Sequence, residues 1–158
     1  MALDKKEKAI ELQGITKTFG SVVANDHINL EVRRGEILAL LGENGSGKTT
    51  LMNMISGIYH PDEGTIKING REVTINSPID AGKLGIGMIH QHFKLVDVFS
   101  AMDNVAMGME GKRAKPKELK EKLTKLTEKY GLEVEPEKKI YNMSVSEKQT
   151  VEILKVLY

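Results

Sequence analysis

The sequence contains no cysteine and no tryptophan, and aromatic residues make up only 4% of its 158 residues. The absence of cysteine excludes a disulfide framework and thiolate metal sites, and it agrees with a reducing compartment. The chain also lacks a surplus of charge of one sign, since 23 basic and 22 acidic side chains leave a formal net charge of +1. This balance gives no reason to expect a nucleic-acid partner or an electrostatic membrane anchor.

Long hydrophobic runs are absent as well. No stretch approaches the roughly 18 apolar residues that cross a bilayer, and residues 1–8 are charged and lack the apolar core of a secretory signal. We therefore expect any link to a membrane to go through another protein. A hydrophobic content of 40% over 158 residues is enough for the core of one compact unit.

The most informative feature that the sequence does contain is a glycine-rich run at residues 42–49. The run matches the phosphate-binding pattern G-x-x-x-x-G-K-[ST] at every specified position. An apolar run at 36–41 precedes it, as expected for a buried strand, and apolar residues follow it at helical spacing. The nucleotide-binding residues predicted from this run, together with the residue after it, are Gly42, Glu43, Asn44, Gly45, Ser46, Gly47, Lys48, Thr49 and Thr50.

Each part of this run has a chemical reason. Glycines let successive N–H groups point at phosphate oxygens, and the following helix adds the positive end of its dipole. Lys48 would reach the β- and γ-phosphates, which makes it a candidate catalytic residue, and the Thr49 hydroxyl would coordinate Mg²⁺. The alternative is a structural glycine turn before a helix, but such a turn does not call for lysine followed by threonine.

Strand patterns dominate the first part of the chain. An Asn69-Gly70 turn predicts a hairpin there, and Ser77-Pro78 is expected to begin a short helix that Gly85 ends. The predicted strands are residues 10–15, 22–32, 36–41, 65–69, 72–75 and 86–91. Because the apolar residues of 36–41 and 86–91 are typical of two buried strands, and helical crossovers separate them, they indicate a parallel α/β core.

Helical patterns dominate from Lys112 onward. Pro116 is placed to begin a helix that Gly131 follows, and Ser144-x-x-Glu147 has the form of a capping box that opens another. The apolar stripe of the first of these helices is Leu119, Leu123, Leu126 and Tyr130. We therefore predict a β-rich core that carries the phosphate loop at residues 1–111 and a helical subdomain at 112–158.

Four segments follow one another in an order that is more specific than any one of them: residues 15–20, the phosphate loop, residues 88–91 (Met-Ile-His-Gln) and residues 143–149 (Met-Ser-Val-Ser-Glu-Lys-Gln). In this order the chain resembles the ATP-binding subunits of ABC transporters, from about residue 10 to its last residue. The tail and the segment 85–91 are most similar to those of bacterial importers of simple sugars and nucleosides. The resemblance implies an α/β P-loop NTPase fold with a RecA-like parallel core, an N-terminal antiparallel β subdomain and a small helical subdomain.

The resemblance also implies roles for three residues outside the phosphate loop. Phe19 occupies the adenine-stacking position, although packing at a strand end is the alternative. Gln91 matches the glutamine that contacts Mg²⁺ and the attacking water, so it is a candidate metal ligand and catalytic residue. Ser144 matches the signature serine that contacts the γ-phosphate of an opposite cassette. The signature is imperfect, because Met143 replaces the usual leucine and Ser146 stands at the position of a glycine.

In the family, the signature helix is followed by a strand that carries an Asp that organises Mg²⁺ and a Glu that activates water. No residue up to Tyr158 can be matched to them, so we expect a chain truncated before that strand, with its C-terminal part missing. Because phosphoryl transfer needs a positioned nucleophile, ATPase activity is expected of the full-length form and is uncertain for this chain.

The function implied by the resemblance is an ATP-binding subunit that energises import of a sugar or nucleoside through ATP-driven dimerisation and hydrolysis. The implied cofactors are ATP and Mg²⁺. The implied partners are membrane permease subunits, a second cassette in a head-to-tail dimer and, indirectly, a solute-binding protein, on the cytoplasmic face of the cell membrane. The alternative is a nucleotide-binding or interaction module without hydrolytic activity. A small-molecule kinase is a weaker third option, because it would need lid arginines and an acceptor site.

Overall fold

The computed structural model describes residues 7–90, 93–107 and 115–158. The chain divides into two compact units, Met1–Ile86 and Gly87–Tyr158. The division predicted at residue 111, from the change to helical patterns at Lys112, stays a prediction. Each unit is described by itself.

The first unit is built on a four-stranded antiparallel sheet with the order β2-β1-β3-β4. Its strands are β1 (Lys8–Phe19), β2 (Val22–Arg33), β3 (Glu63–Ile68) and β4 (Arg71–Val73). The strands predicted at 10–15 and 22–32 are confirmed. The predicted hairpin is also confirmed, because Asn69 and Gly70 both adopt positive φ (50° and 76°), the conformation that a two-residue type I′ turn requires.

Two helices complete this unit, α1 (Lys48–Ile55) and α2 (Pro78–Lys83). Ser77 caps α2 as predicted, since its hydroxyl accepts a hydrogen bond from the N–H of Asp80. The buried side chains of the helices, the sheet and the segment after β4 form one core: Leu12, Ile15, Leu51, Met54, Ile55, Ile66, Ile68, Ile75 and Ala81. This core fixes the start of α1, where the phosphate loop ends.

The described residues of the second unit form α3 (Ala101–Met107), α4 (Pro116–Tyr130), a 3-10 turn (Ile140–Asn142) and α5 (Val145–Leu157). Pro116 begins α4 and Gly131 ends it in the left-handed conformation (φ 63°), as the sequence predicted. Of the predicted stripe, Leu119 and Leu123 are buried and Leu126 packs against the same core. That core is Ala101, Val105, Leu119, Leu123, Ile140, Met143, Val151 and Leu154.

Two strand predictions are wrong. Residues 36–41 and the described residues of 86–91 form no strand, and within the described ranges all strand pairing is antiparallel. Ile37 is 99% exposed and Leu41 is 91% exposed, so the apolar run before the phosphate loop is not buried. The physical reason is that a strand needs a neighbour for its N–H and C=O groups, and no described segment pairs with either run.

The close packing of β3 on β1 predicts a sensitive glycine. Gly64 has φ +94°, and a Cβ there would lie 2.5 Å from the carbonyl oxygen of Gly14. We expect Gly64→Ala to lower the free energy of unfolding by about 2 kcal/mol or more, because it adds backbone strain to a steric clash. Urea denaturation measures this change. Gly82→Ala is the control, because a Cβ on that helical glycine meets nothing within 4 Å. A similar loss of stability in both variants would contradict the argument.

Candidate functional site

The phosphate loop at residues 42–47 leads directly into α1. Gly45 and Gly47 have φ values of +86° and +82°, a conformation that residues with a side chain rarely adopt. Gly47 is the N-cap of α1 and supplies no side-chain hydrogen bond, and the first turn of the helix carries no acidic residue. The N–H groups at the start of α1 are therefore not neutralised by a carboxylate of that turn, and they can receive an anion.

Lys48 holds the loop in a closed conformation. Its ammonium nitrogen lies 2.7 Å from the carbonyl oxygen of Gly42, 2.7 Å from that of Glu43 and 3.1 Å from the hydroxyl oxygen of Ser46. An ammonium group has three hydrogens to donate, so these three acceptors satisfy it. The loop is thus gathered around the one positive charge that the motif predicts for phosphate binding.

The exposure of this segment fits a nucleotide and Mg²⁺. Residues 42–46 and Thr49 are exposed, and Lys48 and Thr50 are half-buried. The hydroxyl of Thr49 is a hard oxygen ligand of the kind Mg²⁺ prefers, and it lies at the helix start, where the phosphates are expected. The residues present therefore fit Mg²⁺ bound together with a nucleotide.

Phe19 ends β1 and is 43% exposed. Its ring makes an edge contact with the ring of Tyr59 (centroids 5.2 Å apart, interplanar angle 71°), and the Lys17 ammonium lies 5.5 Å from its centroid. The ring is therefore packed on one neighbour and still open to solvent. The ring thus packs at the strand end through Tyr59, and its exposed part is accessible to a base.

Asp62 fixes the strand end that carries Phe19. It accepts hydrogen bonds from the Lys17 ammonium (2.7 Å), the Thr18 N–H (2.7 Å) and the Thr18 hydroxyl (2.8 Å). These donors, Lys17 first, lower the pKa of Asp62 to about 2. Sequence reasoning missed Asp62, because a carboxylate 44 residues from Thr18 gives no local signal.

Ser144 lies in the second unit, at the N-cap of α5. Its hydroxyl accepts from the Glu147 N–H (3.2 Å), and its own N–H donates to the Glu147 carboxylate (2.8 Å), which confirms the predicted capping box. Lys138 lies 2.6 Å from the same carboxylate. The Lys138 ammonium and then the Ser144 N–H lower the pKa of Glu147 to about 2. Ser144 and Ser146 are both exposed.

The predicted catalytic residue Gln91 lies outside the described residues. The segment that follows is anchored by α5: the N–H of Lys94 donates to Glu152 (2.7 Å), and the Lys155 ammonium donates to the carbonyl oxygen of Lys94 (2.8 Å). Asn104, fully buried, binds both the N–H and the carbonyl oxygen of Val96. Sequence reasoning missed these anchors, although an acidic residue inside the apolar run 151–154 was an available signal.

Curated relatives resemble the chain along almost all of its length. The nucleoside import ATP-binding protein NupA of Lactococcus lactis subsp. cremoris (strain MG1363) is 50% identical over 155 residues. The guanosine import ATP-binding protein NupO of Bacillus subtilis (strain 168) is 49% identical, and the ribose import ATP-binding protein RbsA of Caldanaerobacter subterraneus subsp. tengcongensis is 40% identical. Each alignment covers 96% of this chain but only 30–31% of the relative, so the chain spans about a third of the length of these proteins.

A family model and solved structures give the same picture. The model described as "ABC transporter" matches residues 25–158. The structure of cbiO1 from Clostridium perfringens, part of an ABC transporter complex, is 25% identical with a TM-score of 0.79 and covers 96% of this chain and 62% of that one. A dimeric ATP-binding cassette in a post-hydrolysis state, bound to ADP and phosphate, is 25% identical with a TM-score of 0.73 and covers 94% of this chain and 68% of that one.

The Glu147 contacts predict an acid-sensitive second unit. The pKa of Glu147 in the folded protein, about 2, lies below the ordinary value of 4.5. The stability that the ionised group contributes is therefore fully present above about pH 4.5 and is lost as the pH falls towards 2. We expect Glu147→Gln to destabilise the unit at pH 7 and to match the wild type near pH 2.

Urea denaturation at pH 7, 4.5 and 2.5, followed by a probe in α5, measures this pH dependence. Glu121→Gln on the exposed face of α4 is the control and should show no such trend. A difference between wild type and Glu147→Gln that stays constant over the whole pH range would contradict the prediction.

Proposed function

The chain belongs to the ATP-binding domains of the ABC transporter family, and on this premise we propose that it forms the phosphate-binding part of an ATP-binding subunit that energises solute import. The family model and the curated relatives confirm the family that the order of motifs predicted. The similar solved structures confirm the predicted α/β P-loop NTPase fold class. The activity, substrate and partners of the whole protein are proposals, because the chain spans about a third of its curated relatives.

One observation supports the nucleotide site most directly: the Lys48 ammonium is held by three oxygens of the loop, next to a helix start with no acidic residue in its first turn. Incoming phosphate oxygens would be met by that ammonium and by the first N–H groups of α1. When bound, Mg²⁺ would offset the charge of the β- and γ-phosphates. Thr49 would hold the ion, with Gln91 as the second ligand inferred from the family.

The transported solute is proposed to be a nucleoside or a simple sugar. Nucleoside and guanosine import proteins are 50% and 49% identical to the chain, whereas a ribose import protein is 40% identical. The higher identity to the nucleoside import proteins favours a nucleoside over a sugar as the proposed solute. Identity in an ATP-binding part reports kinship rather than contact with the solute, so the solute is assigned to the whole transporter.

The proposed partners are permease subunits and a second cassette, with a solute-binding protein acting indirectly. The dimeric cassette bound to ADP and phosphate supports pairing with a second cassette, and the head-to-tail arrangement is the one that the family resemblance implies. None of the helices in the described ranges is both long enough and apolar enough to cross a bilayer. By analogy with the family, the chain is proposed to lie at the inner face of the membrane, attached through permease subunits. The proposed role of the signature serine Ser144 is to contact the phosphate of the opposite cassette.

Removal of the Lys48 charge tests the site. We expect Lys48→Ala to weaken Mg-ATP binding at least about tenfold, because a charge-assisted contact to phosphate is worth more than a neutral hydrogen bond. Titration calorimetry on the purified chain measures the affinity. Lys83→Ala is the matched control, since this exposed lysine lies at the end of α2 and pairs only with Asp80 among the described residues. Equal ATP affinity in wild type and Lys48→Ala would overturn the proposed site.

A second variant tests the proposed role of Phe19. If its ring stacks on adenine, Phe19→Ala should weaken ATP binding by about 1–3 kcal/mol, the range for a base on an aromatic ring. Binding of inorganic triphosphate, which has no base, should not change. Phe19→Tyr should keep the affinity for ATP, because the tyrosine ring offers the same face. Equal losses for ATP and triphosphate would instead show that Phe19 acts by packing at the strand end.

A further inference from the structure

Asn25 lies on β2, directly against the last glycine of the phosphate loop. The residue is only 5% exposed, and its side-chain amide nitrogen donates to the carbonyl oxygen of Gly47 at 3.3 Å. The same carbonyl oxygen accepts the N–H of Leu51 at 2.9 Å, the bond with which α1 begins. The asparagine therefore touches the peptide group that joins the loop to the helix.

The loop approaches the sheet closely at this contact. A Cβ built on Gly47 would lie 2.2 Å from the carbonyl oxygen of Ala24 and 2.8 Å from the amide nitrogen of Asn25. No side chain fits between them, so Gly47 rests on the backbone of β2 and on the Asn25 amide. A shift of either group would move the start of α1.

Stability alone does not account for an asparagine at this place. Its side-chain oxygen is buried, and within the described part of the chain no group donates to it. A buried acceptor without a donor costs free energy. Without Asn25, the Gly47 carbonyl would keep its bond from Leu51, so an apolar side chain would leave no polar group newly unsatisfied.

We infer that Asn25 is a positioning residue for the phosphate loop, and this inference rests on the proposed ATP binding. By fixing the Gly47 carbonyl, it sets the direction of the first N–H groups of α1 before a nucleotide arrives. A loop that is ordered in advance loses less conformational freedom on binding, which increases affinity. The Asn25 side chain thus lowers the stability of the fold and increases the affinity of the phosphate site.

The test is a comparison of affinity with stability. We expect Asn25→Leu to weaken Mg-ATP binding roughly three- to tenfold, the range for one hydrogen bond. Its melting temperature should equal or exceed that of the wild type, because the orphaned acceptor is gone. Asn25→Ala serves as the second variant in case leucine disturbs the packing, and it should show a similar loss of affinity. Calorimetry and thermal denaturation of the full chain give both readouts.

Asn29→Leu is the matched control on the same strand. Asn29 is exposed and contacts the N–H of Gly14 and the carbonyl oxygen of His27, so its loss should leave ATP affinity unchanged. Unchanged ATP affinity in both Asn25 variants would overturn the inference. A loss of affinity accompanied by a lower melting temperature in both variants would also overturn it. Failure of the wild-type chain to bind ATP would overturn the proposed function as well, whereas wild-type binding with unaffected variants would overturn this inference alone.

Discussion

The phosphate loop depends on one close backbone contact, that of Gly47 with β2. The contact tolerates no Cβ, and the φ of Gly47 (+82°) is unfavourable for any residue that has one. Two constraints therefore demand glycine at the same position, one from the turn and one from the sheet behind it. α1 begins at the next residue and buries Leu51 and Met54 in the core of the first unit. The direction of the helix start is therefore fixed by the contact of Gly47 with β2 and by these buried side chains.

Local signals in the sequence predicted local structure well. The Asn69-Gly70 turn, the Ser77 cap and the Ser144-Glu147 capping box each involve residues within three positions of one another, so the sequence contains the whole interaction. The phosphate loop belongs to the same class, since the contacts of Lys48 with the carbonyl oxygens of Gly42 and Glu43 lie within seven residues of sequence.

The wrong strand predictions and the missed site residues share a cause, because each depended on interaction partners distant in sequence. The apolar run 36–41 has the composition of a buried strand, but a strand also needs neighbours, and none of the described segments pairs with it. Asn25 and Asp62 were missed for the related reason that their partners lie 22 and 44 residues away. A single sequence shows which residues can take part in a site, but it does not show which distant residues will hold them there.

In the second unit, the structural and functional interpretations of Ser144 are compatible. A serine hydroxyl has two acceptor sites and one donor, and the capping box uses an acceptor site, which leaves the O–H free to donate to a phosphate oxygen. The adjacent Glu147 carboxylate would repel that phosphate, since its pKa of about 2 keeps it ionised at neutral pH. Lys138, 2.6 Å from the carboxylate, offsets this charge. The ion pair therefore stabilises the helix start and also reduces the repulsion that a phosphate would meet at Ser144.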